Sequence, residues 1–221
     1  MQETSGTAMV RVWDVPIRLF HWTLAGLIVF SWYTAEVQML DWHLRSGMAI
    51  LFLLVFRFMW GLLGSSTARF SQFVKGPAAI TAYLRGQVKA GPGHNPLGAL
   101  SVIALLGLAA LQVVLGLFSE DNDGLMAGPL SLMVSPETSK ALTELHEGLF
   151  NVLLAFIVLH IGAIIFYAIR GKLLVGPMIT GQAKVSSDDA GAAMKPGSMG
   201  AVLVSLVVAG VVTGLVWSMG G

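Results

Sequence analysis

Five stretches of this chain are long and apolar enough to cross a bilayer, and they constrain the fold more than anything else in it. Residues 16–34, 43–64, 97–118, 146–169 and 199–219 each run close to the roughly 20 residues that span a hydrocarbon core. Lipid offers no hydrogen bonds, so every peptide group there must be satisfied within its own segment, which makes the spans helices. Composition agrees: 55% of the 221 residues are apolar and 11% are charged, against about a quarter charged in a soluble domain. The expected fold class is therefore all-α and integral to the membrane.

Local signals mark where helices begin. Pro16 opens the first span, and Asn95-Pro96 supplies a cap followed by a helix-start proline for the third. Between the second and third spans, "GPAAITAYLRG" reads as a short interfacial helix starting at Pro77 and ending at Gly86. The opening "MQETSGTAMV" has no basic n-region, so the mature chain is expected to start there.

Lys and Arg sort by side. Arg11, Arg18, Arg57, Arg69, Lys75, Arg85, Lys89, Arg170, Lys172, Lys184 and Lys195 fall on one side of the five spans, and only Arg45 and Lys140 on the other. The positive-inside rule puts the N-terminus on the cytoplasmic side and the C-terminus outside. The outer side instead carries acids, including Glu120, Asp121, Asp123, Glu137 and Glu144. A net charge of +1 spread over separate loops gives no patch for nucleic acid. The absence of cysteine excludes disulfides, cysteine-ligated iron–sulfur clusters, thiolate zinc and covalently attached c-type haem.

Four histidines lie in the spans, where ionisable groups are costly and tend to be functional. His21 sits near the cytoplasmic end of the first span and His43 at the outer start of the second. His146 and His160 share the fourth, 14 residues apart. At 100° per residue that interval closes to within about 40° of whole turns and rises about 21 Å, so both rings use one helix face at two depths. Depth pairs His43 with His146 and His21 with His160. Two imidazoles facing each other across a bundle suit bis-histidine haem. A lone intramembrane histidine is more often a hydrogen-bonding residue between helices, and zinc prefers three ligands around one point. Two pairs at two depths favour two b haems.

Arg57 stands 14 residues from His43 on the second span, facing the same way at the inner level. It and Arg18, one turn before His21, are candidates for the propionates of the inner haem, and Arg45 for those of the outer one. His94, in the loop "GPGHNPLG", is either an ordinary loop residue or one near a quinone. "SEDNDG" lacks the downstream glutamate of a calcium loop and reads as an acidic rim.

The segments "VWDVPIRLFHW", "GMAILFLLVFRFMWGLLGSSTARF", "GHNPLGALSVIALL" and "LHEGLFNVLLAFIVLHIGAIIFY" closely resemble the prokaryotic cytochrome b561 family. That family includes the b-type cytochrome subunits of membrane-bound nickel–iron hydrogenases. The resemblance implies a four-helix membrane domain with two b haems whose axial ligands correspond to His21, His43, His146 and His160. It also implies electron transfer between the quinone pool, with a bound quinone as a candidate cofactor, and a periplasmic partner: a cytochrome c or an enzyme subunit. A stand-alone superoxide:quinone oxidoreductase is the first alternative and a non-redox transporter or scaffold the second.

The expected organisation is a four-helix di-haem domain over residues 1–181, a polar linker over 182–198 and an additional C-terminal helix over 199–221. Gly210 and Gly214 form a small-residue face on that last helix. Such a face suits close helix contact; the helix reads first as a lipid-facing one packed on the bundle, and otherwise as a docking surface for a partner subunit or a second copy.

Overall fold

The computed structural model describes residues 6–87, 93, 95–121, 124, 126–186 and 193–220. Strand β1 (Thr7–Arg11) leads into helix α1 (Val15–Glu36), whose N-cap, Asp14, accepts a hydrogen bond from the Ile17 amide at 2.7 Å. A turn in which Gln38 takes a φ of 58° reverses the chain into α2 (Leu40–Leu63). Two short helices follow, α3 (Phe70–Phe73) and α4 (Pro77–Leu84), the latter running into Gly86 at φ 70°. Helix α5 (Pro96–Phe118) is capped by Asn95, which accepts from the Gly98 amide at 2.7 Å. Beyond a 3₁₀ turn (Ser131–Met133) come α6 (Pro136–Ile169), α7 (Val175–Thr180), β2 (Gln182–Ser186) and α8 (Met199–Ser218).

Five of these helices (α1, α2, α5, α6 and α8) are long and apolar enough to cross a membrane, as expected. The fourth differs in length. At 34 residues α6 rises about 51 Å, well past a hydrocarbon core of about 30 Å. Its first ten residues are too polar to read as a span, but other contacts hold them helical. Ser139 Oγ donates to the Phe118 carbonyl at 2.8 Å, and Thr143 Oγ1 donates to the Glu120 carbonyl at 2.9 Å.

The helices assemble as two groups. Helix α2 packs against α1 on one side and α8 on the other, α5 packs along α6, and a lighter α2–α5 seam joins the groups. Neither α1 nor α2 makes a seam with α6 like the one α5 makes.

The densest core lies at one end, where Val10, Val12, Trp13, Ile17, Phe56, Trp60, Ala68 and Ala209 are buried together. Here the structure adds an element that the all-α expectation lacked: β1 and β2 form an antiparallel ribbon, Thr7 opposite Ser186 and Arg11 opposite Gln182. The amides of Val12 and Trp13 continue it by donating to the Gly181 carbonyl at 2.8 and 3.2 Å. Residues 182–186 of the expected linker are therefore strand. Its far end is tied down as well: the Met194 amide donates to the Arg11 carbonyl at 2.9 Å, and the Lys195 amide to Ser66 Oγ at 2.9 Å. Water can reach unpaired backbone at a membrane surface, so a ribbon is affordable there and not within the spans.

Helix α8 meets α2 through Ser205 and Ala209, both fully buried. A Cβ built on Gly210 or Gly214 meets nothing within 4 Å, so that glycine face points away from the bundle.

Candidate cofactor site between the helix pairs

All four intramembrane histidines are half-buried. The His43 and His146 rings lie 6.0 Å apart, centroid to centroid, with planes at 87°. His21 and His160 are close enough to interact electrostatically at the ribbon end. His43 and His146 thus meet at one level of α6, and His21 comes near His160 at the other.

What each ring does with its Nδ1 decides its chemistry. His43 Nδ1 lies 2.9 Å from the Ser31 carbonyl oxygen and 3.2 Å from Ser31 Oγ. His146 Nδ1 lies 2.9 Å from the Gln112 carbonyl oxygen. A carbonyl can only accept, so both Nδ1 atoms carry the proton, and in a neutral imidazole that leaves the Nε2 lone pair bare. His160 Nδ1 has Ser101 Oγ at 3.3 Å, and His21 Nδ1 is buried without a partner. Among the described residues, no hydrogen bond takes the Nε2 of any of the four. Fastening one imidazole nitrogen to a backbone carbonyl while the other stays free is how metal-ligating histidines are held.

A family model described as prokaryotic cytochrome b561 matches residues 12–181. The chain belongs to the prokaryotic cytochrome b561 family. It is a multi-pass membrane b-type cytochrome, and its work is electron transfer with haem b. No curated protein and no solved structure matches the chain. The fifth helix of this cytochrome b561 lies outside the matched region.

The residues fit haem in a second respect. Among the described residues there is no cluster of three or more His, Cys, Asp or Glu that could hold a metal ion alone. The histidines come in twos, and a macrocycle supplies the remaining four donors to an iron. At metal–imidazole bonds of about 2 Å on each side, a ring separation of 6.0 Å leaves room for one such ion.

The three arginines differ. Arg57 is only 3% exposed, its guanidinium lies over the Phe70 ring at 4.7 Å, and its Nη1 is buried without a hydrogen-bond partner. Asp14 is near enough to offset part of its charge, but that carboxylate accepts from the Ile17 amide and, at 3.0 Å, from Trp60 Nε1. Arg18 is otherwise engaged: its Nε donates to the Asp14 carbonyl at 3.3 Å and its Nη1 to the Ile179 carbonyl, clamping α7 onto α1. Trp22 Nε1 reinforces that clamp by donating to the Met178 carbonyl at 3.2 Å. Arg45 pairs on the surface with Asp41 at 3.1 Å.

Ser31, Gln112 and Ser101 were not singled out in the sequence. Nothing in a serine or a glutamine within an apolar run announces that its carbonyl or hydroxyl meets an imidazole on another helix. His94 and Asp123 lie outside the described residues.

Proposed function

We propose that this cytochrome b561 binds two b haems, one between His43 and His146 and one between His21 and His160. We propose further that it moves electrons between the quinone pool and a periplasmic redox partner. The observation that carries the reading is the pair of Nδ1–carbonyl bonds, which present bare Nε2 atoms from facing helices at one depth. When bound, haem b supplies one-electron exchange.

The chain's own residues do the rest. His43 and His146 are locked in the ligating tautomer by Ser31 and Gln112. Arg57, with a free buried Nη1, is the arginine best placed for an inner propionate. Arg18 and Arg45 remain weaker candidates, because both guanidiniums already have partners. The long apolar spans exclude water and keep the two tiers, about 21 Å apart along α6, from short-circuiting to solvent.

The sorting of Lys and Arg supports placing the ribbon end in the cytoplasm and the loop between α5 and α6 in the periplasm. On the latter side, Glu120, Glu137 and Glu144 form an acidic surface suited to a basic cytochrome c or enzyme subunit. Superoxide, an anion, is served poorly there, since one of the two outer cations, Arg45, is already paired with Asp41.

The test is anaerobic mixing of the oxidised, purified chain with a short-chain quinol, followed by the optical spectrum of reduced haem. Reduction by quinol is expected. A protein that dithionite reduces and no quinol reduces would not be exchanging electrons with the quinone pool.

A further inference from the structure

Helix α5 contributes no histidine, yet it holds His146 at three points. His146 Nδ1 donates to the Gln112 carbonyl at 2.9 Å, and Gln112 Nε2 donates back to the His146 carbonyl at 2.9 Å. The third point is Gly116. In the helical ladder the Gln112 carbonyl is also the acceptor for the Gly116 N–H, so residue 116 sits directly beside the carbonyl that receives the imidazole. A Cβ there would stand 2.9 Å from His146 Cε1 and 3.2 Å from Nδ1.

Gly116 has an ordinary helical φ, so no backbone conformation demands glycine. In a helix interior glycine is less favourable than alanine, and the space it opens for the ring is what offsets that. Gly107, on the same helix, is different: a Cβ there meets nothing within 4 Å. The last turn of α5 is held in place by the loop beyond it, where the Gly128 amide donates to the Ser119 carbonyl at 2.7 Å and the Leu130 amide to the Leu117 carbonyl at 2.8 Å. With α5 fixed, an added methyl must displace the imidazole.

We propose that Gly116 and Gln112 are positioning residues for the haem held by His43 and His146: together they set the tautomer, rotamer and plane of the His146 ring. The inference rests on the ligand assignment proposed above. The two tiers are unlike in this respect. At the other one, α5 offers His160 the Ser101 hydroxyl at 3.3 Å, which can donate or accept and imposes no tautomer. An iron held between them would sense the angle between the His43 and His146 planes, 87° here, so a turned His146 ring would shift its EPR g-values.

The experiment compares Gly116→Ala, Gln112→Leu, Gly107→Ala and His146→Ala in the full-length purified chain, by haem content and low-temperature EPR. Gly116→Ala is expected to shift the g-values of one haem only and to weaken its retention about tenfold, the usual scale for residues that orient a ligating histidine. Gln112→Leu should shift the same signal less, and Gly107→Ala should shift nothing. If Gly116→Ala does not accumulate while Gly107→Ala does, the demand for space at residue 116 stands, and Gln112→Leu, which keeps the backbone carbonyl and loses only the side-chain bond to the His146 carbonyl, reads the second hold: an unmoved signal overturns positioning by the Gln112 side chain. Loss of one haem in His146→Ala, with Gly116→Ala indistinguishable from Gly107→Ala, would overturn the positioning role alone. Full haem content in His146→Ala would remove the ligand assignment, and the positioning role with it.

Discussion

His43 and His146 stand 6.0 Å apart at nearly a right angle, and neither spends its Nδ1 on the other: one bonds to Ser31 of α1, the other to Gln112 of α5. Had the rings merely satisfied each other across the helices, their nitrogens would point together. Both Nδ1 atoms are instead tied to helices beside their own.

The pairing makes a specific demand on substitutions. His43→Ala and His146→Ala should abolish the same haem, and His21→Ala and His160→Ala the other, each variant keeping about half the wild-type haem. Optical redox titration separates the two haems if their potentials differ. Loss of one haem by His43→Ala and of the other by His146→Ala would break the assignment.

Arg57 is expected to serve a carboxylate on a bound group as well as Asp14. A charge-assisted hydrogen bond is worth about 1.5–3 kcal/mol, so Arg57→Met should weaken retention of the inner haem roughly tenfold or more. Transfer of haem to an apoprotein acceptor measures this. Unchanged transfer rates would mean that Arg57 serves only as the counter-ion of Asp14.

Asp14 ties the ribbon end together through the α1 cap and the Trp60 indole. Asp14→Ala removes the cap and strands a buried N–H, for a loss of about 2 kcal/mol or more. The midpoint of unfolding in mixed micelles should fall accordingly, while haem spectra stay as in wild type.

At the surface beside the ribbon end, Asn95 Nδ2 donates to Tyr167 Oη at 3.1 Å, and Tyr83 on α4 comes within reach of a hydrogen bond to Tyr167. Partial burial, with that hydrogen bond second, raises the Tyr83 phenol above its ordinary value. A raised pKa favours the protonated form when folded. The contact therefore contributes fully below the usual phenol pKa of about 10 and is lost as pH climbs through the raised value. In a tyrosinate absorbance titration, the chain's three tyrosines should include one late component that Tyr83→Phe removes. Its persistence in that variant would assign it elsewhere.

The face that α8 turns to α2 is equally testable. Ala209 is fully buried there, and overpacking typically costs about 1–3 kcal/mol, so Ala209→Leu should lower the unfolding midpoint. Gly214→Leu, on the open face, should not. The reverse ranking would place the glycines, and not Ala209, against α2.

Long-period features were legible from the chain and short cross-chain contacts were not. Five apolar runs, the Asn95 cap and the short helix that starts at Pro77 announce themselves through local chemistry that no tertiary contact overrides. The 14-residue step from His146 to His160 placed two rings on one face because a helix is regular. The ribbon was hidden because each strand is five residues long and its partner lies some 170 residues away. Arg18 looked like a ligand for an anion because its carbonyl partner on α7, that of Ile179, cannot be seen from the chain order. The role of Gly116 depends on what its missing Cβ would strike, which only the packed α5–α6 seam reveals.

The central claim is met most directly by counting. A pyridine haemochrome assay with protein quantitation by amino-acid analysis on the purified chain should give two b haems per polypeptide, both low-spin and six-coordinate in the reduced spectrum. A ratio of one, or a high-spin spectrum, would contradict two bis-histidine tiers; a ratio of zero after haem-replete expression would contradict haem binding by this chain altogether.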